Sequence, residues 1–196
     1  MTRRTPAVAL ASAALTLAGC ALGERPTLTD ERLPGDPAVE AVHELLAQAD
    51  TTAFEASYLI TPARAGSAPV SATVRWAAGA SLIAIGDVEF VVDDGEQRTC
   101  RAGRVDCVPG FDEARISDLS VTSAFWGPST AQRLLTDAGR MTAVSPAADT
   151  IAGQSATCAT VTMGTASSTY CATATGPLAR LVAADVTIEL TAFTPT

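Results

Sequence analysis

The residues able to do chemistry in this chain are few: five cysteines, one histidine and a handful of adjacent carboxylates. Thiols close disulfides, ligate zinc or attack as nucleophiles, and an imidazole moves protons near neutral pH. Paired acids serve general acid–base work. All 13 basic residues are arginine, and the absence of lysine removes Schiff-base and P-loop chemistry outright. There is no G-x-S-x-G elbow. His43 flanks an apolar helical stripe, one turn from Val39 and from Leu46, and no acid pairs with it in sequence. That is the setting of a packed or solvated imidazole. Asp93-Asp94 runs into Gly95, and Asp112-Glu113 opens a short helical segment, so turn and helix-start roles account for both acid pairs. No residue is assigned a catalytic role, no metal or cofactor is expected, and the chain reads as a non-enzyme.

Cys20 stands apart from the other thiols. It closes a segment with Arg3 and Arg4 at its front, an apolar run from Pro6 to Leu17, and the small residues Ala18 and Gly19 before the thiol. A positive n-region, a short h-region and small residues at the cut make a secretory signal. The run is too short to span a bilayer, which takes about 20 apolar residues. Leu17-Ala18-Gly19-Cys20 resembles the lipobox of bacterial lipoproteins. The resemblance implies that residues 1–19 are removed and that Cys20 is acylated, palmitate-type chains then holding the protein on the extracytoplasmic face of the cell membrane. Each buried CH₂ contributes about 0.8 kcal/mol, so two or more chains anchor stably. Residues 20–36 are polar, carry Pro26, Pro34 and Gly35, and read as a flexible tether. Residues 37–196 are of single-domain size, enough to bury a core without a metal.

With Cys20 committed to an anchor, Cys100, Cys107, Cys158 and Cys171 remain, an even set in an exported chain, which reads as two disulfides. Three pairings are open. Local pairing, Cys100 with Cys107 and Cys158 with Cys171, is the reading adopted, because each pair flanks a hairpin turn. A zinc site would need reduced thiols outside the cytoplasm, with His43 far away in sequence. The formal charge of −8 excludes nucleic acid as a partner, since an acidic surface repels phosphate. Alanine-rich, lysine-free usage resembles that of high-GC actinobacteria.

The elements follow from periodicity. Asp36 as cap, Pro37 at the first position and Val39, Val42, Leu46 and Ala49 at helical spacing predict a helix over 37–49. Alternation predicts strands over 54–60, 70–76, 81–85, 88–92, 97–100 and 105–108, with Asp93-Asp94-Gly95 as a hairpin turn. A short helix is expected over 111–119 and a firmer one from Pro128 to Ala138, with Gly139 as its stop. Just before the latter lies a bulky apolar patch, Phe125-Trp126. Strands resume at 141–144, 156–163, 169–173, 178–182 and 186–193. One polar and one apolar face per strand makes the sheet antiparallel and half solvated.

This order of elements, with Ile151–Cys158, Tyr170–Leu181 and the closing strand Val186–Phe193, resembles the LolA-like fold. That fold is shared by outer-membrane lipoprotein carriers, the sensor domain of periplasmic sigma-factor regulators and mycobacterial lipid-binding lipoproteins. The resemblance implies an α+β half-barrel, a strongly curved antiparallel sheet with helices on its concave side, covering about 37–194. It further implies a lipid or other hydrophobic ligand held between sheet and helices. Phe54, Tyr58, Trp76, Phe90, Phe125, Trp126 and Leu134 are the candidate lining residues, and Phe125-Trp126 the candidate movable lid. The alternative is a module that docks on an envelope protein partner, for which a tightly plugged concave face would speak.

Overall fold

The computed structural model describes residues 35–104 and 106–196; Cys20, its signal and most of the tether lie outside them. The described chain is an α+β unit of eleven strands and two α-helices, with two short 3-10 segments at 49–51 and 113–119. Strands β1 (Phe54–Pro62), β2 (Val70–Ala77), β3 (Ala80–Ile85), β4 (Val88–Asp93), β5 (Glu96–Arg101) and β6 (Val108–Pro109) form one meander. Strands β7 (Ala143–Ile151), β8 (Gln154–Met163), β9 (Ala166–Thr173), β10 (Leu178–Val182) and β11 (Val186–Pro195) form another. Pairing of β1 with β11 joins them into one open antiparallel sheet in the order β6-β5-β4-β3-β2-β1-β11-β10-β9-β8-β7. Helix α1 (Pro37–Ala47) precedes the first meander, and α2 (Pro128–Ala138) lies between the two.

The sheet curves around the helices. Two bulges strengthen its twist at the centre. Thr191 is the extra residue opposite Ser57 and Tyr58, its hydroxyl donating to the Ser57 carbonyl at 3.0 Å. Ala179 is the extra residue between Leu178 and Arg180 where β10 meets β9. The concave face carries the buried rows Phe54-Ala56-Tyr58-Ile60, Ala72-Val74, Ile83-Ile85, Val88-Phe90 and Val186-Ile188-Leu190. Helix α1 starts where the Asp36 carboxylate accepts from the Ala38 amide at 2.9 Å, with Pro37 at its first position, and it buries Val39, Val42 and Leu46. Its C-terminal end is gripped between two glycines. A Cβ on Gly127 would lie 2.6 Å from the Ala49 Cβ, and one on Gly176 would lie 2.8 Å from the Leu45 carbonyl and 2.9 Å from the Ala49 Cα. Only hydrogen fits at either place. Gly176 also sits at φ +109, a region L-residues rarely adopt.

The sheet's two edges are blunted. Strand β6 is two residues long and ends in proline. On β7, Ile151 and Gln154 flank the two-residue turn Ala152-Gly153, both of positive φ, which makes them a hydrogen-bonded pair. Counting back, Asp149, Ala147, Ser145 and Ala143 bond β8, while Thr150, Ala148, Pro146 and Val144 turn their backbone groups outward. Pro146 has no N–H, and the Thr150 amide donates to the Asp149 carboxylate at 2.7 Å. Two of four outward positions therefore offer no donor to a second sheet.

Disulfides join Cys100 to Cys107 (Cα–Cα 4.3 Å) and Cys158 to Cys171 (Cα–Cα 4.1 Å), the local pairing. The second lies cross-strand between β8 and β9, on the face opposite Ala159 and Tyr170. Arg180 stands in register beside Cys171 and Glu189, its guanidinium bonding Asp149 at 2.7 Å and Glu189 at 3.2 Å.

Three elements differ from the sequence reading. Strand β7 runs on to Ile151, through Pro146-Ala147-Ala148, which carry no β-forming side chains; cross-strand pairing alone makes this a strand. The return to β5 is confined to Val108–Pro109, because the disulfide turns the chain before it can pair. Gly139 ends α2 in right-handed geometry (φ −62), so it stops the helix without a left-handed cap.

Candidate functional site

Strand alternation and one connecting segment build the site. Strands β1 and β2 point Phe54, Tyr58 and Trp76 at the concave face, and residues 120–127 bring Phe125 and Trp126 down on them. Trp126 packs edge-on to Phe54 (centroids 5.4 Å) and tilted against Trp76 (4.7 Å), while Phe125 meets Tyr58 edge-on at 5.1 Å. Five of the seven candidate lining residues thus form one continuous aromatic seam between sheet and helical insert. Phe90 is elsewhere on the concave face, paired edge-on with Phe111 at 5.3 Å. Leu134 is fully buried on α2, on the stripe with Thr130 and Ala131.

The Phe125-Trp126 plug is held by its backbone. The Leu178 amide, beside the β10 bulge, donates to the Trp126 carbonyl at 2.7 Å, and the Thr130 hydroxyl donates to the Phe125 carbonyl at 2.5 Å. Upstream, the Ser123 amide and hydroxyl both donate to the Glu113 carboxylate, the amide at 3.0 and 3.1 Å to its two oxygens. Asp112 pairs with Arg115 at 3.1 Å. The acids 112 and 113 are therefore a clasp and a helix-start pair. Helix α2 is tied down from its other side. The Tyr170 hydroxyl donates to the buried Asp137 carboxylate at 2.5 Å, which also accepts from Arg140 at 3.2 Å, and Arg133 pairs with Asp185 on the β10–β11 turn. Burial, then the Asp137 bond, pushes the Tyr170 phenol well above its ordinary range, and the Arg133 hydrogen bond holds Asp185 below the usual carboxylate range.

Three buried side-chain polar atoms have no hydrogen-bond partner among the described residues: the Tyr58 hydroxyl, the Trp126 indole nitrogen and the Ser81 hydroxyl. All three belong to one strip. Trp126 touches Trp76, Ser81 stands opposite Trp76 in register, and Tyr58 lies under Phe125. Full burial drives the Tyr58 phenol pKa far upward. By contrast, the Trp76 indole donates to the Asp50 carbonyl at 2.8 Å. The strip opens at the rim of the sheet into a groove of about 540 Å³, walled by Phe54, Trp76, Ala77, Ser81 and Val92. On the other flank of the plug, Phe125 also walls a pocket of about 240 Å³ with Leu181 and Ile188. The arrangement is a packed apolar seam with isolated hydrogen-bonding groups, and the groove at its rim also carries Glu55, Arg75 and Asp93.

Sequence reasoning missed Ser81 and the Glu113–Ser123 clasp, and it did not count Phe111 or Phe193 among the aromatic contacts. Phe193 stacks on Phe54 at 5.8 Å. Its place on the closing strand was legible; its neighbour across the sheet was not.

No protein-family model and no curated protein matches the sequence. The described fold is similar to solved structures. MucB matches at TM-score 0.52 and 14% identity, over 82% of this chain and 60% of that chain, and MucB has also been solved as the MucA/MucB complex of Pseudomonas aeruginosa. LprF from Mycobacterium bovis (TM-score 0.43, 14% identity, 80% of this chain and 92% of that one) and the LolA superfamily protein NE2245 from Nitrosomonas europaea (0.40, 8%, 81% and 93%) are further matches. The chain spans about 60% of the MucB chain, and what it shares with MucB at this identity is the fold.

Proposed function

We propose that this protein is a non-enzymatic lipoprotein of the cell envelope that binds a lipid or other hydrophobic ligand along the concave seam, with Phe125-Trp126 as the displaceable plug. One observation carries the reading: the strip of unpaired polar atoms, Tyr58, Trp126 and Ser81, set in an apolar seam that leads into a groove of about 540 Å³. A buried polar group left unpaired costs about 1–3 kcal/mol. A packed core gains nothing from three in a row, whereas an acyl ester or hydroxylated chain would fill the apolar space and supply acceptors. Acylation of Cys20 would hold the domain at the membrane where such ligands are found. No helix among the described residues is long and apolar enough to cross a membrane, so attachment by acyl chains fits the described part of the chain.

Native mass spectrometry of the full chain carrying Cys20→Ser tests this directly. A retained adduct, released as lipid on denaturation, is the expected result. The second reading, docking on an envelope protein, is favoured by the tight seat of Trp126 and by MucB's having been solved with MucA. A clean apo mass with both disulfides closed, and no lipid taken up from added vesicles, would transfer the weight to it.

A further inference from the structure

The pocket of about 240 Å³ beside α2 is lined by Ser120, Thr122, Ser129 and Thr130 on one side and by Val121, Leu181 and Ile188 on the other. Phe125 is its inner wall and also the ring that covers Tyr58. Ile188 stands in register with Ile60, and Leu190, two residues on along the same face, with Tyr58. Turning Phe125 aside would therefore join this pocket to the Tyr58 hydroxyl and, through Trp126, to the groove at the rim. The two cavities flank one seam, and their chemistry differs: the rim groove sets the charged Glu55, Arg75 and Asp93 beside its apolar wall, whereas the α2 pocket carries hydroxyls and no carboxylate.

We propose that the α2 pocket is the subsite for an uncharged, oxygen-bearing head group, such as a glycerol or other hydroxylated ester, whose acyl chain runs under Phe125 into the seam. The inference rests on the ligand-binding reading above. Charge selects against an anionic head. The one cation of the lining, Arg133, spends both terminal nitrogens on Asp185, Nη1 to Oδ2 at 3.1 Å and Nη2 to Oδ1 at 2.5 Å. The pair is neutral as a unit, and the chain around it is acidic, with formal charge −8. A carboxylate or phosphate entering here meets a cation whose charge is already paired with Asp185, in a chain of net negative charge. Two of the hydroxyls remain available, since that of Thr130 is committed to the Phe125 carbonyl. Thr122 donates to Ser129 at 2.9 Å and accepts from the Ala124 amide at 3.3 Å, which leaves the Ser129 proton free to donate and one lone pair on each of the two oxygens free to accept.

The test uses the full chain carrying Cys20→Ser, with Trp126 and Trp76 fluorescence as the signal and two probes of identical tail, 1-monooleoylglycerol and oleate. The expected result is that the glycerol ester binds at least tenfold more tightly. Thr122→Val with Ser129→Ala should weaken the ester by roughly tenfold, two neutral hydrogen bonds' worth, while leaving oleate unchanged. Asp185→Asn, which uncovers the Arg133 charge, should shift selectivity toward oleate; this gain of binding cannot come from misfolding. Equal affinity for the two probes, or an ester affinity indifferent to the hydroxyls, overturns the subsite and leaves the apolar seam standing. Binding of neither probe overturns both the subsite and the reading beneath it.

Discussion

Tyr58 and Tyr170 make a matched experiment, because the same substitution should move stability in opposite directions. Both phenols are buried on the concave face, yet the Tyr58 hydroxyl has no partner among the described residues while that of Tyr170 donates to the buried Asp137 carboxylate. Tyr58→Phe deletes an unpaired hydroxyl and leaves its ring packed on Phe125, so the lipid-free protein should gain about 1–2 kcal/mol. For a domain of this size that is a rise in Tm of about 2–8 °C. Tyr170→Phe strips the carboxylate of its buried donor and leaves only Arg140, costing about 1.5–3 kcal/mol. Urea melts with unchanged m-values provide the measurement. The alkaline limb adds a second reading. Both phenols hold their protons above the ordinary tyrosine range. Below about pH 10 the folded and unfolded chains bind the same phenolic protons; above it the unfolded chain releases protons that the folded chain keeps, so stability falls as pH rises. The slope approaches about 1.4 kcal/mol per pH unit for each tyrosine, and Tyr58→Phe should remove one of the two contributions. If Tyr58→Phe loses as much stability as Tyr170→Phe, the Tyr58 hydroxyl is bonded in the free protein and the argument for a ligand station collapses.

Gly176→Ala should cost about 2–4 kcal/mol, since its Cβ strikes backbone of α1 and its φ is positive; a differential scanning calorimetry trace matching wild type would refute that close approach. Replacing Cys158 and Cys171 by serine should lower stability by about 3 kcal/mol, and Cys100 and Cys107 by about 2.5 kcal/mol, from the entropy of loops of sequence separation 13 and 7. Equilibrium unfolding of each double variant checks the order. Pro146→Val with Asp149→Ala restores the outward donors of β7, and light scattering should then detect more self-association than in wild type. A monodisperse double variant would show that the blunted edge is not what keeps the chain apart.

Much of this architecture is legible in the residues themselves. Period-2 alternation places the paired strands, because each has one face in water and one in the core. Asp36-Pro37 starts α1 by local hydrogen bonding, and Asp94-Gly95 turns β4 into β5 by tolerating positive φ at 49° and 82°. The cysteine count points to two bridges. These are local properties, set within a few residues of the chain. Strand β7 was only half legible: its middle, Pro146, Ala147 and Ala148, has no strand propensity of its own and is a strand because β8 pairs with it.

The site belongs to the other class. Phe54, Tyr58, Trp76, Phe125 and Trp126 are visible in the sequence as bulky apolar residues, but nothing local says that Trp126 lands between Phe54 and Trp76 or that Phe125 covers Tyr58. Nor does it say that Phe90 turns instead to Phe111. The unpaired state of the Tyr58, Trp126 and Ser81 polar atoms is likewise a tertiary fact, because a hydrogen bond is made or missed across elements far apart in the chain. Most strands and turns, and the number of bridges, can be read from the residues alone, since backbone propensity and a cysteine count need no partner from elsewhere in the chain. Which cysteines join, which aromatics meet and which buried groups go unsatisfied are settled in three dimensions, since packing and burial are set by whatever the rest of the fold brings alongside.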